Sequence, residues 1–430
     1  MIDANPDFAV QHPELDDSYD VIVVGGGPAG ATTGALVAEY GHKTLVLDRA
    51  EFPRHHVGES LIPETYWSLE RLGLVEKLKA SAFPKKYSVQ FVSDGHKVSA
   101  PFYFHDHKDC ESSQTWQVVR GDFDKMLLDN AADKGATTHT MAQVTEVLFE
   151  GDRAVGVKAL LGADRVEKTI KSKVVVDATG QSAFLASRMK LKKQDPLLRK
   201  ATVWNYYQNA HRGPGRDEGC TIILQTEGKQ SWFWYIPLPN NVVSIGCTGS
   251  LPYMFGDKQS SGEVFQRELS RCPALQDKLA DATRTEEYFT TKDFSYKSEK
   301  AAGDGWVLTG DAFGFIDPVY SSGVYLAMKS GEFAADAIHE AFEANELTGE
   351  RLGGWKDHYN EGVENFRKLV YAFYTPGFSF GQFLKMHPQY QSNLVDILIG
   401  DVFKPGVGDM FDAMGEMIPP SDHEVAAASM

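Results

Sequence analysis

The stretch Val21-Ile22-Val23-Val24-Gly25-Gly26-Gly27-Pro28-Ala29-Gly30 decides the fold. Four apolar residues read as a buried strand, the glycines as a tight turn, and the small-residue run from Ala31 to Val37 as a helix. Gly25, Gly27 and Gly30 have the G-x-G-x-x-G spacing. The first glycine permits the turn, the second lets backbone approach a pyrophosphate, and the third lets helix and strand pack closely. The helix's N-terminal N–H groups and positive dipole end face the phosphates. A second strand, Lys43 to Leu47, ends at Asp48, 18 residues past Gly30, where a carboxylate can hydrogen-bond a ribose hydroxyl. Strand, glycines, helix, strand and acid in register predict a bound dinucleotide in an α/β, Rossmann-like, three-layer domain.

The remaining composition narrows the class. The chain has 430 residues, 42% of them hydrophobic, enough for two or three structural units with a sizeable core. A formal net charge of -16 argues against a nucleic-acid partner. Cys110, Cys220, Cys247 and Cys272 form no C-x-x-C pair, so neither a disulfide framework nor a zinc site is expected. With no basic-then-apolar leader and no run long enough for a membrane span, a cytoplasmic location is expected.

Residues 1–18 read as a disordered arm and 419–430 as a disordered tail. Residues 19–85, 106–190 and 296–345 read as one discontinuous nucleotide-binding domain. Within it, helices are expected from Tyr66 to Lys79 and from Phe123 to Lys134. Residues 86–105 and 191–295 are strand-rich and aromatic and predict an antiparallel sheet roofing a substrate cavity. Residues 346–418 read as a helical C-terminal cap with two breaks. Gly310-Asp311 follows a buried strand and precedes Ser321-Ser322-Gly323, which opens a long helix that Ser321 or Ser322 would cap.

Beyond these elements, the chain resembles the flavin-dependent halogenases, within the wider group of aromatic hydroxylases and geranylgeranyl reductases. The wider group's motifs are GGGPAG at 25–30, LDR at 47–49, VVRGDFD at 118–124, DATG at 177–180 and GDAFGFIDP at 310–318. FPRHHVGESLIP at 52–63 is typical of halogenases and reductases. WFWYIP at 232–237 fits W-x-W-x-I-P, and FIDPVYSSG at 315–323 fits F-x-x-P-x-x-S-x-G; that pairing is what marks halogenases. Tyr320 stands where tryptophan-type halogenases carry a glutamate, which places the chain with halogenases of phenols, pyrroles and related rings.

The resemblance implies the chemistry. Reduced FAD, supplied as FADH2 by a separate flavin reductase, reacts with oxygen, and chloride or bromide becomes hypohalous acid. A lysine then delivers it to an electron-rich aromatic substrate, free or tethered to a carrier protein. The family's lysine falls on Lys86, with Lys85 as the alternative; strand alternation allows only one of them to be solvated. The implied cofactor residues are Gly25, Gly27, Pro28, Ala29, Gly30, Asp48, Arg49, Arg54, Glu59, Ser60, Arg120, Asp311 and Gly323. Ser322 and Gly323 would bind the halide through amide N–H groups. Trp232, Trp234, Pro237 and Pro318 would wall the flavin chamber off from the substrate. The general base for the substrate stays open among His55, His56, Glu64 and Asp317.

Other readings are a flavin hydroxylase, a prenyl reductase acting on a lipid-like chain, and a non-catalytic flavoprotein. His105-Asp106-His107 with Cys110 lacks a second ligand cluster, so no metal is expected. The basic run Arg188, Lys190, Lys192, Lys193, Arg199 and Lys200 is read either as a dock for an acidic carrier or as a solvated loop.

Overall fold

A computed structural model describes residues 14–417. The deciding stretch folds as read. Strand Ser18–Val24 is buried along Val21–Val24 and runs into helix Pro28–Glu39. It lies between two parallel neighbours, Thr44–Leu47 and the second half of Val166–Asp177. Trp306–Leu308 and Thr137–His139 extend the parallel part on either side. The first half of Val166–Asp177 pairs antiparallel with Arg153–Leu161, which carries Ala142–Glu150 beyond it. One long strand thus belongs to two pairings.

The parallel strands read as continuous apolar runs because they are buried: helix Pro28–Glu39 packs on Ser18–Val24 and Thr44–Leu47, and strand Ala142–Glu150 also contacts Thr44–Leu47. Helix Gly323–Glu343 packs on helix Pro28–Glu39 through small residues; a Cβ at Gly331 would stand 2.7 Å from the Ala29 carbonyl oxygen. That close crossing brings the end of the chain's long helix to the glycine turn.

The second sheet has eight strands, with Lys200–Gln208, Val242–Ser250, Ser231–Pro237 and Thr221–Gln225 at its centre. It is antiparallel except that Thr221–Gln225 runs parallel to Ser88–Val92. One face, bearing Trp204, Ile223, Trp232, Trp234 and Ile236, joins the main core. The other, bearing Val203, Ile222, Phe233 and Tyr235, packs under the helix Ser261–Ser270 as a separate cluster.

Several local expectations are corrected. The helix expected from Tyr66 to Lys79 is two, Thr65–Leu72 and Val75–Lys79. Gly73 separates them in the left-handed region at φ 76°, a common helix terminator. Neither serine hydroxyl caps the long helix: Ser322 stands at the cap position without a side-chain hydrogen bond, and Ser321 is left-handed at φ 57°. The cap region has more than two breaks, with helices Gly349–Leu352, Lys356–Tyr374, Phe380–Met386, Gln391–Ile399 and Met410–Met414. Most of the arm expected over 1–18, and the tail from 419, lie outside the described residues. The end of the arm is tied down: Leu15 is buried and its carbonyl accepts from the Lys168 amine. Among the described residues no helix is long and apolar enough to cross a membrane.

Candidate active site

The glycine turn opens into a cavity of about 470 Å3 lying between the two sheets. That volume falls within the usual range of roughly 300–1,000 Å3 for cofactor and ligand sites. Gly25, Gly27, Pro28, Ala29, Asp48, Arg49, Arg54, Glu59, Ser60, Arg120, Asp311, Pro318 and Gly323 all line it. The backbone there is shaped for close approach. Gly25 has φ +110°, and a Cβ on it would lie 2.3 Å from the Ala178 oxygen. A Cβ on Gly30 would lie 1.8 Å from the Gly25 oxygen, so only glycine lets the turn fold onto the helix. At Gly27 a Cβ would meet only Arg54 and otherwise project into the open cradle.

Side chains hold this cradle in shape. Asp48 Oδ2 accepts from the Gly26 amide at 2.8 Å and Oδ1 from the Ala50 amide at 2.8 Å. Buried Asp177 accepts from the amides of Thr179 and Leu185, pinning the DATG turn along the cavity. Arg120 is buried, and its guanidinium forks onto Asp124 at 2.8 and 3.0 Å while donating to the Val57 carbonyl at 2.7 Å. Arg54 joins the same carboxylate at 3.0 Å. Asp311 faces the cavity; burial pushes its carboxyl up to about 7, against the opposing pull of Arg120.

Beside this wall lies a void of about 10 Å3, bounded by Ser322, Gly323, Asp311, Phe315 and Tyr359. It shares Asp311, Phe315, Gly323 and Ala327 with the main cavity. Gly323, which borders the void, opens helix Gly323–Glu343, where an amide N–H has no intrahelical acceptor. The void's size matches a water or a comparably small ion.

The lysines separate as alternation requires: Lys85 is exposed and Lys86 is 2% exposed. The Lys86 amine donates to Ser60 Oγ at 2.9 Å and to the Leu61 carbonyl at 2.9 Å, 5.6 Å from the centre of the Phe104 ring. Ser60 Oγ also bonds Thr221 Oγ1 at 2.9 Å, and Thr221 is fixed by Gln117 at 2.7 Å. Ser60 and Thr221 line the cavity. Two hydroxyls therefore stand between the cavity and the amine. Burial lowers the Lys86 pKa from 10.5 to about 7. Two acceptors match the two N–H bonds of a neutral amine and leave its lone pair free, whereas an ammonium has three donors to place.

The tryptophans divide their work. Trp234 lines the cavity and donates to Ser244 Oγ at 3.2 Å. Trp232 is buried behind it, the ring centres 6.2 Å apart, and donates to the Tyr374 hydroxyl at 2.8 Å. Pro237 is a correction: the strand's period of two turns it to the opposite face, and Ile236 lines the cavity instead. Pro318 does line it.

Sequence reasoning missed a group that ties the two family-marking motifs together. Tyr374, on the cap helix Lys356–Tyr374, donates to Asp317 at 3.1 Å while accepting from Trp232. Asp317 Oδ1 accepts from the Val319 amide at 3.0 Å, shaping the turn that leads to Ser321-Ser322-Gly323. The Lys200 amine sits 3.4 Å from the Tyr374 ring centre. Burial raises the Asp317 carboxyl to about 6, with Lys200 pulling the other way. No motif announces Tyr374, whose partners are distant in sequence. The remaining candidate bases also have partners: His55 bonds Tyr206, His56 bonds the Val57 carbonyl, and Glu64 pairs with Lys108. In the metal-like cluster, His105 pairs with Asp109, His107 with Asp396, and Cys110 with Ser112. The basic run is partly neutralised, Lys193 pairing with Glu299 and Arg199 with Asp293.

Comparison with known proteins agrees with this geometry. An FAD binding domain family model matches residues 18–347. The chain is 30% identical over 423 residues to a 1H-pyrrole-2-carbonyl-[peptidyl-carrier protein] chlorinase of Pseudomonas fluorescens, covering 94% of each protein. It is 30% identical over 395 residues to the corresponding brominase of Pseudoalteromonas luteoviolacea, covering 90% of this chain and 93% of that one. Among solved structures, the flavin-dependent brominase Bmp2 superposes with a TM-score of 0.83 at 28% identity, covering 93% of this chain and 98% of that one. The myxobacterial chondrochloren halogenase CndH gives 0.77 at 30% identity, covering 95% and 99%. Similarity of this extent, on a chain whose turn, cavity and buried amine stand as described, means that the chain belongs to the FAD-binding domain family and, within it, to the flavin-dependent halogenases.

Proposed function

We propose that this halogenase acts on a pyrrole- or phenol-like ring, and that Lys86 delivers the hypohalous acid to it. The observation that carries the reading is the buried Lys86 amine, poised for its neutral form and joined to the cavity through Ser60 and Thr221. Reduced FAD, when bound, would give oxygen two electrons, and oxygen would take two more in oxidising chloride or bromide. The chain's own residues do the rest. Gly25, Gly27, Pro28, Ala29, Gly30, Asp48, Arg49 and Arg54 hold the nucleotide end. Glu59, Ser60, Arg120, Asp311 and Gly323 surround the ring end. Ser322 and Gly323 hold the halide with amide donors at the helix start. The Trp232–Trp234 pair, with Ile236 and Pro318, keeps the organic substrate from the flavin. The Lys86 lone pair then accepts or orients the oxidised halogen.

Partners follow from the same chemistry. A single dinucleotide fingerprint supports a separate flavin reductase as the source of reduced FAD. Both pyrrole-acting relatives use carrier-tethered substrates by name, which supports a tethered ring here. Four free cysteines are consistent with a cytoplasmic setting. The division into a discontinuous FAD-binding domain, a substrate sheet and a helical cap is part of the same reading. Incubating the protein with a flavin reductase, NADH, FAD, bromide and a panel of pyrroles and phenols tests it. Brominated products support the reading; oxygen insertion independent of halide overturns it.

A further inference from the structure

The proposed reaction consumes one solvent proton per turnover. Neutral reduced flavin (FADH2), O2, a halide ion, one proton and the aromatic C–H yield FAD, the C–X product and two waters. The proton must reach the buried part of the cavity wall, at Glu59, past the space that a bound flavin would fill. A hydrogen-bonded chain of side chains runs from there to an exposed histidine. Glu59 is 2% exposed and lines the cavity. Its Oε1 accepts from the Tyr206 hydroxyl at 2.8 Å. Tyr206 is in turn 2.9 Å from His55 Nε2. Since the tyrosine proton lies on Glu59, His55 Nε2 is the donor to the tyrosine oxygen. His55 is exposed and stacks on Phe289 with ring centres 4.4 Å apart, which fixes its plane.

We propose that His55, Tyr206 and Glu59 form a proton relay from the exposed part of the cavity lining, where His55 stands, to Glu59 on its buried wall, a role that rests on the halogenase reading above. The direction of transfer is set by the donors: His55 Nε2–H to Tyr206, Tyr206 O–H to Glu59. The carboxyl then holds the proton at the cavity wall, and His55 takes a replacement from water through Nδ1.

The surrounding charges suit this. Burial raises the Glu59 carboxyl, while the Tyr206 hydrogen bond and the Arg120 guanidinium pull it down. Burial lowers His55, with Glu286 opposing and Arg120 reinforcing the shift. Arg120 is itself held by Asp124, which Arg54 also contacts. His56 beside them is disfavoured as a cation chiefly by Arg120. The imidazole is therefore a neutral carrier near pH 7 rather than a fixed cation, and the carboxyl can be recharged.

Two variants test the relay. Tyr206→Phe removes the hydroxyl and keeps the ring; His55→Phe keeps the stack on Phe289 at an exposed position. In flavin-free protein carrying 13C-labelled glutamate carboxyls, the Glu59 resonance is identified by its loss in Glu59→Gln. Loss of a hydrogen bond to the charged form should raise its titration midpoint by about 1–2 units in Tyr206→Phe. In loaded enzyme, both variants should lose roughly tenfold in turnover at pH 8 and much less at pH 6, where free protons are about a hundredfold more abundant. Added imidazole should restore His55→Phe but not Tyr206→Phe. A Glu59 midpoint unmoved in Tyr206→Phe, or wild-type pH profiles in both variants, overturns the relay. Wild-type protein that makes no halogenated product overturns the halogenase reading instead, and the flavin-free titration tells the two failures apart.

Discussion

Lys86→Met removes one buried amine and leaves an apolar stem of similar length. The lysine's pKa falls from 10.5 to about 7 in the fold. That shift, roughly 3.5 units at about 1.36 kcal/mol each, is about 5 kcal/mol against the ammonium. The sign follows from proton counts. Between pH 7 and 10.5 the unfolded chain keeps the lysine proton that the folded chain has released. Wild-type stability therefore rises with pH across that window. Allowing for half-titration at the start, the gain from pH 7 to 9 is about 2 kcal/mol, and Lys86→Met lacks it. The assay is urea unfolding of both flavin-free proteins at pH 7, 8 and 9, so that other titrating groups cancel in the difference. The stability gap should move by about 2 kcal/mol in favour of wild type. A gap constant across pH means the folded protein keeps the ammonium, and the neutral delivering amine is wrong.

Three further outcomes are expected. Tyr374→Phe leaves the buried Trp232 N–H without its acceptor and should cost about 1–3 kcal/mol in unfolding free energy, while flavin oxidation uncouples from product in a combined oxygen-uptake and product assay. Asp317→Asn removes a carboxyl raised to about 6 from 3.8. Stability from the protonated form is complete below the unfolded value and lost as pH rises through 6, so wild type should lose about 2 kcal/mol relative to the variant between pH 4 and 7 by denaturant titration. Gly30→Ala sets a Cβ 1.8 Å from the Gly25 oxygen and should raise the FAD dissociation constant at least tenfold by fluorescence titration, with the rest of the fold retained by circular dichroism.

What was legible in the sequence was local. The glycine turn, the strand before it and Asp48 are read from neighbours in the chain, because their geometry is set by backbone sterics within a few residues. Lys86 was separable from Lys85 because adjacent strand residues face opposite ways. The same rule would have exchanged Pro237 for Ile236, and it would have put Tyr206 on the cavity face with Thr202 and Trp204. Gly73 was a readable helix stop that an apolar pattern on both sides concealed. What stayed hidden depends on packing between distant segments. Tyr374 reaches Asp317 across 57 positions, and Tyr206 reaches Glu59 across 147. Neither hydrogen bond leaves a periodic or spaced signature. The serine caps failed for a related reason: the turn follows the Asp317 carboxylate and the left-handed Ser321, not the hydroxyls.

The central claim is that oxidised halide made in the flavin cavity reaches the substrate only through the Lys86 amine. Mass spectrometry of reactions with bromide, a flavin reductase, NADH, FAD and an electron-rich pyrrole, run in parallel for wild type and Lys86→Met, measures it directly. The account predicts the paired bromine isotope pattern in the wild-type product, and none from Lys86→Met although that variant still consumes oxygen and NADH at a comparable rate. Equal bromination by both proteins would contradict it.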